Sequence, residues 1–114
     1  MLKKDLRLCK AGQYKFVFRE GKSCVTKYVA AYVVEQEKTK IGFIASKKTG
    51  DAVRRNRAKR LMREAVRCLL PQIKGNFHMI LIARKPIVHA SFREVEQSVL
   101  YVLRKMGVRY ERRP

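Results

Sequence analysis

The sequence predicts an α+β fold: a mixed, mainly antiparallel sheet with packed helices, in the order α-β-β-α-β-α. Three observations carry that prediction. Lys22 to Glu35 is rich in Val and Tyr, and Asn76 to Ala83 is a near-continuous apolar run, as in a strand buried on both faces. Two other segments, Ala58 to Leu69 and Phe92 to Met106, place apolar residues at helical spacing. No repeat, linker or low-complexity stretch divides the 114 residues, so 1–114 reads as a single domain.

Taken in order, Met1 to Arg7 is basic and expected to be extended. Lys10 to Glu20 suits a short helix ended by Gly21. Within it Tyr14 and Phe18 stand i, i+4 and share a face, while Phe16 and Val17 lie elsewhere on the wheel. Such aromatics are either core or the lining of a groove on which unpaired bases stack. Strict alternation in the following β segment puts Tyr28, Ala30 and Tyr32 on one face and Val29, Ala31 and Val33 on the other. Lys38 to Lys40 reads as a polar turn, with Lys40 to Ser46 as the second arm of a hairpin.

The next stretch carries the charge. From Lys47 to Arg67 there are nine Lys/Arg against two acids, Asp51 and Glu64. At 100° per residue, Ala58, Leu61, Met62, Ala65, Val66 and Leu69 fall on one side of a helix, and Asn56, Lys59, Arg60, Arg63 and Arg67 on the other. Asp51 is placed as N-cap, Gly50 as a tight turn before it, and Glu64 as an i, i+4 partner to Arg60. Beyond Pro71 and Gly75 comes the apolar strand, ending in Arg84-Lys85-Pro86. Ser91 and Glu94 then form a capping-box pattern for a last helix with Phe92, Val95, Val99, Val102, Leu103 and Met106 inward. Gly107 ends it, and Val108 to Pro114 is a basic tail.

The chain carries 28 basic and 9 acidic residues, a net +19. Self-repulsion of that size fits a protein that a polyanion normally neutralises. No apolar run approaches the ~20 residues of a membrane span. Cys9, Cys24 and Cys68 are an odd, unpaired set that suits free thiols, and neither His78 nor His89 has zinc spacing to a Cys. The acids are scattered, with no paired carboxylates and no nucleophile beside a base. No autonomous active site, metal site or small-molecule substrate is expected.

The pattern Gly-x-x-x-Ser-Lys-Lys-x-Gly-x-Ala-Val-x-Arg-Asn-Arg-x-Lys-Arg-x-x-Arg-Glu, from Gly42 to Glu64, resembles the signature of the bacterial ribonuclease P protein family. The likeness extends to Ile-Ala-Arg-Lys-Pro at Ile82 to Pro86 and to the aromatic N-terminal helix. It implies a ribosomal-protein-S5-domain-2-like fold with a left-handed βαβ crossover through the Arg-Asn-Arg helix. It also implies a cytoplasmic ribonucleoprotein endonuclease that removes the 5′ leader of precursor tRNA, with the catalytic RNA and its Mg²⁺ doing the hydrolysis. In that reading Arg55, Asn56, Arg57, Lys59, Arg60, Arg63, Lys47 and Lys48 bind the catalytic RNA. Tyr14, Phe18 and Tyr32 engage the leader, Tyr14 standing where the family usually has Phe. Arg84 and Lys85 add phosphate contacts. The partners are then the catalytic RNA and precursor tRNA, with no membrane.

The alternative is a basic structural RNA-binding protein of ribosomal type with no part in cleavage. A cationic membrane-surface protein fits less well, because the helix opposes its cations with Ala, Leu, Met and Val rather than Trp or Phe. DNA readout by the basic helix has no second feature in its favour.

Overall fold

The chain folds around one central strand. The computed structural model describes residues 4–110, so Met1–Lys3 and the last four residues of the basic tail lie outside the described residues. The elements are α1 (Ala11–Glu20), β1 (Lys22–Val25), β2 (Val29–Glu35), β3 (Lys40–Ile44), α2 (Ala52–Leu69), β4 (Ile73–Lys74), β5 (Phe77–Ala83), α3 (Phe92–Lys105) and β6 (Arg109–Tyr110), with 3-10 turns at Lys4–Leu6, Leu70–Gln72 and Lys85–His89. Four strands form a sheet in the order β1-β2-β5-β3, and β4 pairs with β6 in a separate ribbon.

Three expectations are corrected by the fold. The β-rich segment Lys22 to Glu35 is itself a hairpin, β1 against β2, with Thr26 capping the turn through its bonds to Val29. The expected hairpin between β2 and β3 does not form, because β5 inserts between them, antiparallel to β2 and parallel to β3. The physical reason lies in β5. It is the most apolar strand, so it takes the place where both faces and both edges are covered. β3, α2 and β5 thus make a parallel β-α-β unit. The N-terminal segment is likewise not extended throughout: Lys4–Leu6 turns, and Arg7 and Leu8 then bridge to Ile41 on the outer edge of β3.

One sheet face buries Val29, Ala31 and Val33 of β2 and Phe77, Met79, Leu81 and Ala83 of β5 beneath α2 and α3. The six predicted inward residues of α2 all join this core, Leu61 only partly. From α3, Val95, Val99, Val102 and Leu103 are buried, whereas Phe92 at its first turn is exposed. Among the described residues, the other sheet face is covered by the ten-residue α1, through Val17, together with Leu8, both packed on Ile80.

The helix ends follow their local chemistry. Asp51 accepts from the Arg54 amide at 3.0 Å, and Ser91 and Glu94 complete their capping box. Gly21 has an ordinary φ of −77°, so it is not needed for a left-handed cap; a Cβ there would sit 2.5 Å from the Val17 carbonyl oxygen. Gly50, at φ 149°, does take a conformation reserved for glycine, which lets the Ser46–Thr49 turn enter α2. Among the described residues no helix is long and apolar enough to cross a membrane.

Candidate nucleic-acid interface

Register alone assembles a basic rim at one end of the sheet. β3 and β5 run parallel, so the segments after Ile44 and Ala83 leave at the same end, carrying Lys47, Lys48, Arg84 and Lys85. Val29 pairs with Ala83, which brings the Thr26–Tyr28 turn to that end as well. Arg84 fastens the turn: its amide donates to the Tyr28 carbonyl at 3.0 Å and its Nη1 to the Thr26 carbonyl at 2.6 Å. Lys27 therefore joins the rim. Sequence reasoning missed it by reading Lys22 to Glu35 as one strand, and the polar Thr26-Lys27 pair inside that run was the available signal.

At the opposite end carboxylates mix with cations, Lys22 and Lys74 standing among them. Glu20, Glu35 and Glu37 gather around an open 900 Å³ cavity between the end of α1, the end of β2 and the β4–β5 turn. Several of the chain's few carboxylates thus lie at the end of the sheet away from the rim, interleaved with lysines.

The cations of α2 do not all behave alike. Asn56 and Arg60 are exposed, and Lys59 and Arg63 are half-buried along their stems. Arg63 sits with its guanidinium carbon 5.9 Å from the centre of the Phe43 ring. Arg67 is paired with Glu64 at 2.7 Å, which holds that carboxyl below its usual range, so the expected Glu64–Arg60 pairing is replaced by an i, i+3 one. Arg55 is half-buried, its Nε without a hydrogen-bond partner among the described residues. Arg57 turns inward and donates to the carbonyls of Val88 at 3.4 Å and Ala90 at 2.9 Å.

The aromatic residues divide similarly. Tyr14 is half-buried against Leu8, Val17 and Ile80, and its hydroxyl donates to the Leu8 carbonyl at 3.0 Å; burial, helped by the Cys9 thiol, raises its pKa above the ordinary value. Phe18 is 42% exposed and meets the edge of Tyr32 at 4.9 Å between ring centres. The three predicted aromatics thus share one side of the sheet, Tyr14 anchored and Phe18 open. Tyr28, expected beside Tyr32, does not join them. It lies at the strand end, reaches the core under α3 and donates to Glu94 at 2.7 Å.

The two candidate surfaces meet at the outer edge of β3. A 230 Å³ cleft there is lined by Arg7, Tyr14, Gly42, Phe43 and Arg63, among others. A Cβ at Gly42 would lie 2.7 Å from Tyr14 Cζ, so only glycine lets the ring settle over β3. The Gly that opens the sequence pattern is therefore a packing requirement of the cleft.

Known proteins share this architecture and these sequences. Residues 2–107 match the family model described as Ribonuclease P. A ribonuclease P protein component from Exiguobacterium sp. is 40% identical over 109 residues, covering 94% of this chain and 95% of that protein. A solved mutant of the Staphylococcus aureus RNase P protein superposes with a TM-score of 0.84 at 26% identity, over 92% of this chain and 91% of its own. The Thermotoga maritima RNase P protein does so with a TM-score of 0.77 at 28% identity, over 87% and 96%. The chain belongs to the family of ribonuclease P protein components, the protein part of the ribonucleoprotein that processes tRNA 5′ ends.

Proposed function

We propose that the chain binds the catalytic RNA of ribonuclease P through the cations of α2 and the basic rim, and holds the single-stranded leader of precursor tRNA on the α1 side of the sheet. The observation that carries this reading is the cleft where Tyr14, Phe43 and Arg63 meet, because it makes the aromatic face and the basic helix one continuous surface. Arg55, Asn56, Lys59, Arg60 and Arg63 face the catalytic RNA, with Lys47, Lys48, Arg84, Lys85 and Lys27 adding phosphate contacts. Arg57 serves this surface from beneath, by holding the turn that follows Lys85.

The division of labour follows from the chemistry of each side. Cations screen the repulsion between two large polyanions and gain free energy by releasing counterions. Exposed rings grip unpaired bases without demanding one sequence. Hydrolysis belongs to the RNA with its Mg²⁺, and this chain's side chains bind, orient and neutralise. The cytoplasm, where precursor tRNA is made in bacteria, is the corresponding site of action.

Binding to a bacterial ribonuclease P RNA across a salt series, with a ribosomal RNA fragment of equal length as control, tests the reading. It predicts tighter binding to the ribonuclease P RNA and a log–log slope of several units, at ~0.7–0.9 per neutralised phosphate. Equal affinity for both RNAs would favour a general ribosomal-type binder.

A further inference from the structure

We propose that the groove between the β1–β2 turn and α3 is a second stacking site, which takes one unpaired nucleobase of RNA on the ring of Tyr101 beside Tyr28. The inference rests on the RNA-binding reading above and adds to it a site on a different part of the sheet from Tyr14, Phe18 and Tyr32. The groove has a volume of 480 Å³, within the ~300–1,000 Å³ range of sites that hold a small ring system. Its walls keep unusually large apolar groups in water, Tyr101 being 54% and Val25 61% exposed. Tyr101 has no packing duty: it stands on α3 opposite the face that carries Val95, Val99 and Val102 into the core.

Charge decides what kind of ligand fits. Inside the groove stands Glu94, whose carboxylate accepts from the Tyr28 hydroxyl at 2.7 Å and from the Ser91 amide at 3.0 Å. Those bonds favour its charged form, so a phosphate is repelled from the groove itself. A base is not, because its amino and imino edges are donors that Glu94 and the neighbouring Gln97 side chain can accept. The cations stand at the rim instead. Lys27 lies with Nζ 5.4 Å from the Tyr28 ring centre, and Arg84 is fixed to the Thr26 carbonyl at 2.6 Å. Base within and phosphate at the rim is the arrangement a single nucleotide requires.

The groove also lies on a route. Paired residues share a face, so Ile44, Ile82, Ala30 and Val25 form a row across all four strands on the α1 side. That row ends at Val25, on the lip of the groove. An RNA strand crossing that face from the β3 edge reaches β1, the edge strand, and enters the groove by passing round it to the α3 side.

The test uses the full chain in two arms: affinity for ribonuclease P RNA alone, and affinity of the assembled holoenzyme for precursor tRNA against mature tRNA. Tyr101→Ala is expected to weaken binding about 5- to 150-fold in one arm, the range for loss of one stacked base. Tyr101→Phe should restore it, and Phe92→Ala, an exposed ring on another side of α3, should leave it unchanged. A loss in the first arm identifies the base as the catalytic RNA's, and a loss confined to precursor tRNA identifies it as the leader's. Wild-type affinity for Tyr101→Ala in both arms overturns the proposal and leaves the RNA-binding reading intact. Failure of the wild-type chain to bind either RNA overturns both.

Discussion

The Arg57 guanidinium is a structural clamp on Ala90: Nη2 donates to the Ala90 carbonyl at 2.9 Å while Nη1 reaches the Val88 carbonyl at 3.4 Å. The second arginine of the Arg-Asn-Arg motif thereby fastens α2 to the turn Lys85–His89, whose first residues belong to the basic rim. Arg57→Ala is expected to destabilise the fold by about 2 kcal/mol, the scale of a charged hydrogen bond, with Arg57→Lys recovering part of it. Thermal unfolding checks this. A melting temperature unchanged by Arg57→Ala would mean the clamp contributes nothing in solution.

Arg60 is the cleaner probe of the RNA-binding face, being exposed where Arg57 is not. Arg60→Glu should leave stability within ~0.5 kcal/mol of wild type. It should also weaken binding to the ribonuclease P RNA and flatten the log–log salt dependence by ~1 for each phosphate that is no longer neutralised. The measurement is the salt series, and an unaltered slope would remove Arg60 from the interface.

Phe18 and Gly42 test the leader face from two directions. Phe18→Ala exposes no core and should reduce holoenzyme affinity for leader-bearing precursor ~5- to 150-fold, with mature tRNA unaffected. Gly42→Ala forces the Tyr14 ring off β3, breaking its bond to the Leu8 carbonyl. The expected cost is ~1–3 kcal/mol of stability together with weaker leader binding, read by denaturant melts and by the same affinity comparison.

His78 gives the fold a pH dependence. It sits half-buried on the α1 side of β5, and burial, with the Lys40 ammonium opposite, lowers its pKa below 6.5. A histidine titrating lower in the folded state than in the unfolded one contributes stability that is present above pH 6.5 and lost as pH falls through the folded value. Urea melts should therefore be flat from pH 8 to 7 and decline below 6.5, and His78→Gln should remove that part of the decline. A wild-type profile with no fall below 6.5 would contradict the shift.

The sequence was most informative where one period ran long. The inward face of α2, the two caps at Asp51 and Ser91, and the buried run of β5 all follow from local spacing and chemistry. What sequence did not show was pairing between distant segments: β5 enters between β2 and β3 because burial on both sides favours it, a fact no window around Lys40 contains. The site was legible in the same proportion. Arg60 stands exposed as the helical wheel places it, whereas the wheel left Phe18 between core and groove and the fold leaves it open. The inward turn of Arg57, the packing of Tyr14 over Gly42, and the arrival of Lys27 beside Arg84 depend on tertiary approach. A cation on a basic helix and a cation clamping a turn have the same spelling.

The most direct test of the whole account is reconstituted cleavage. Purified chain, a bacterial ribonuclease P RNA and end-labelled precursor tRNA are combined at near-physiological Mg²⁺, beside protein-only and RNA-only reactions. The account predicts cleavage at the leader junction that requires the RNA and is strengthened by the chain, more so for longer leaders. Cleavage by the chain alone, or no effect of the folded chain on the RNA's reaction, would contradict it.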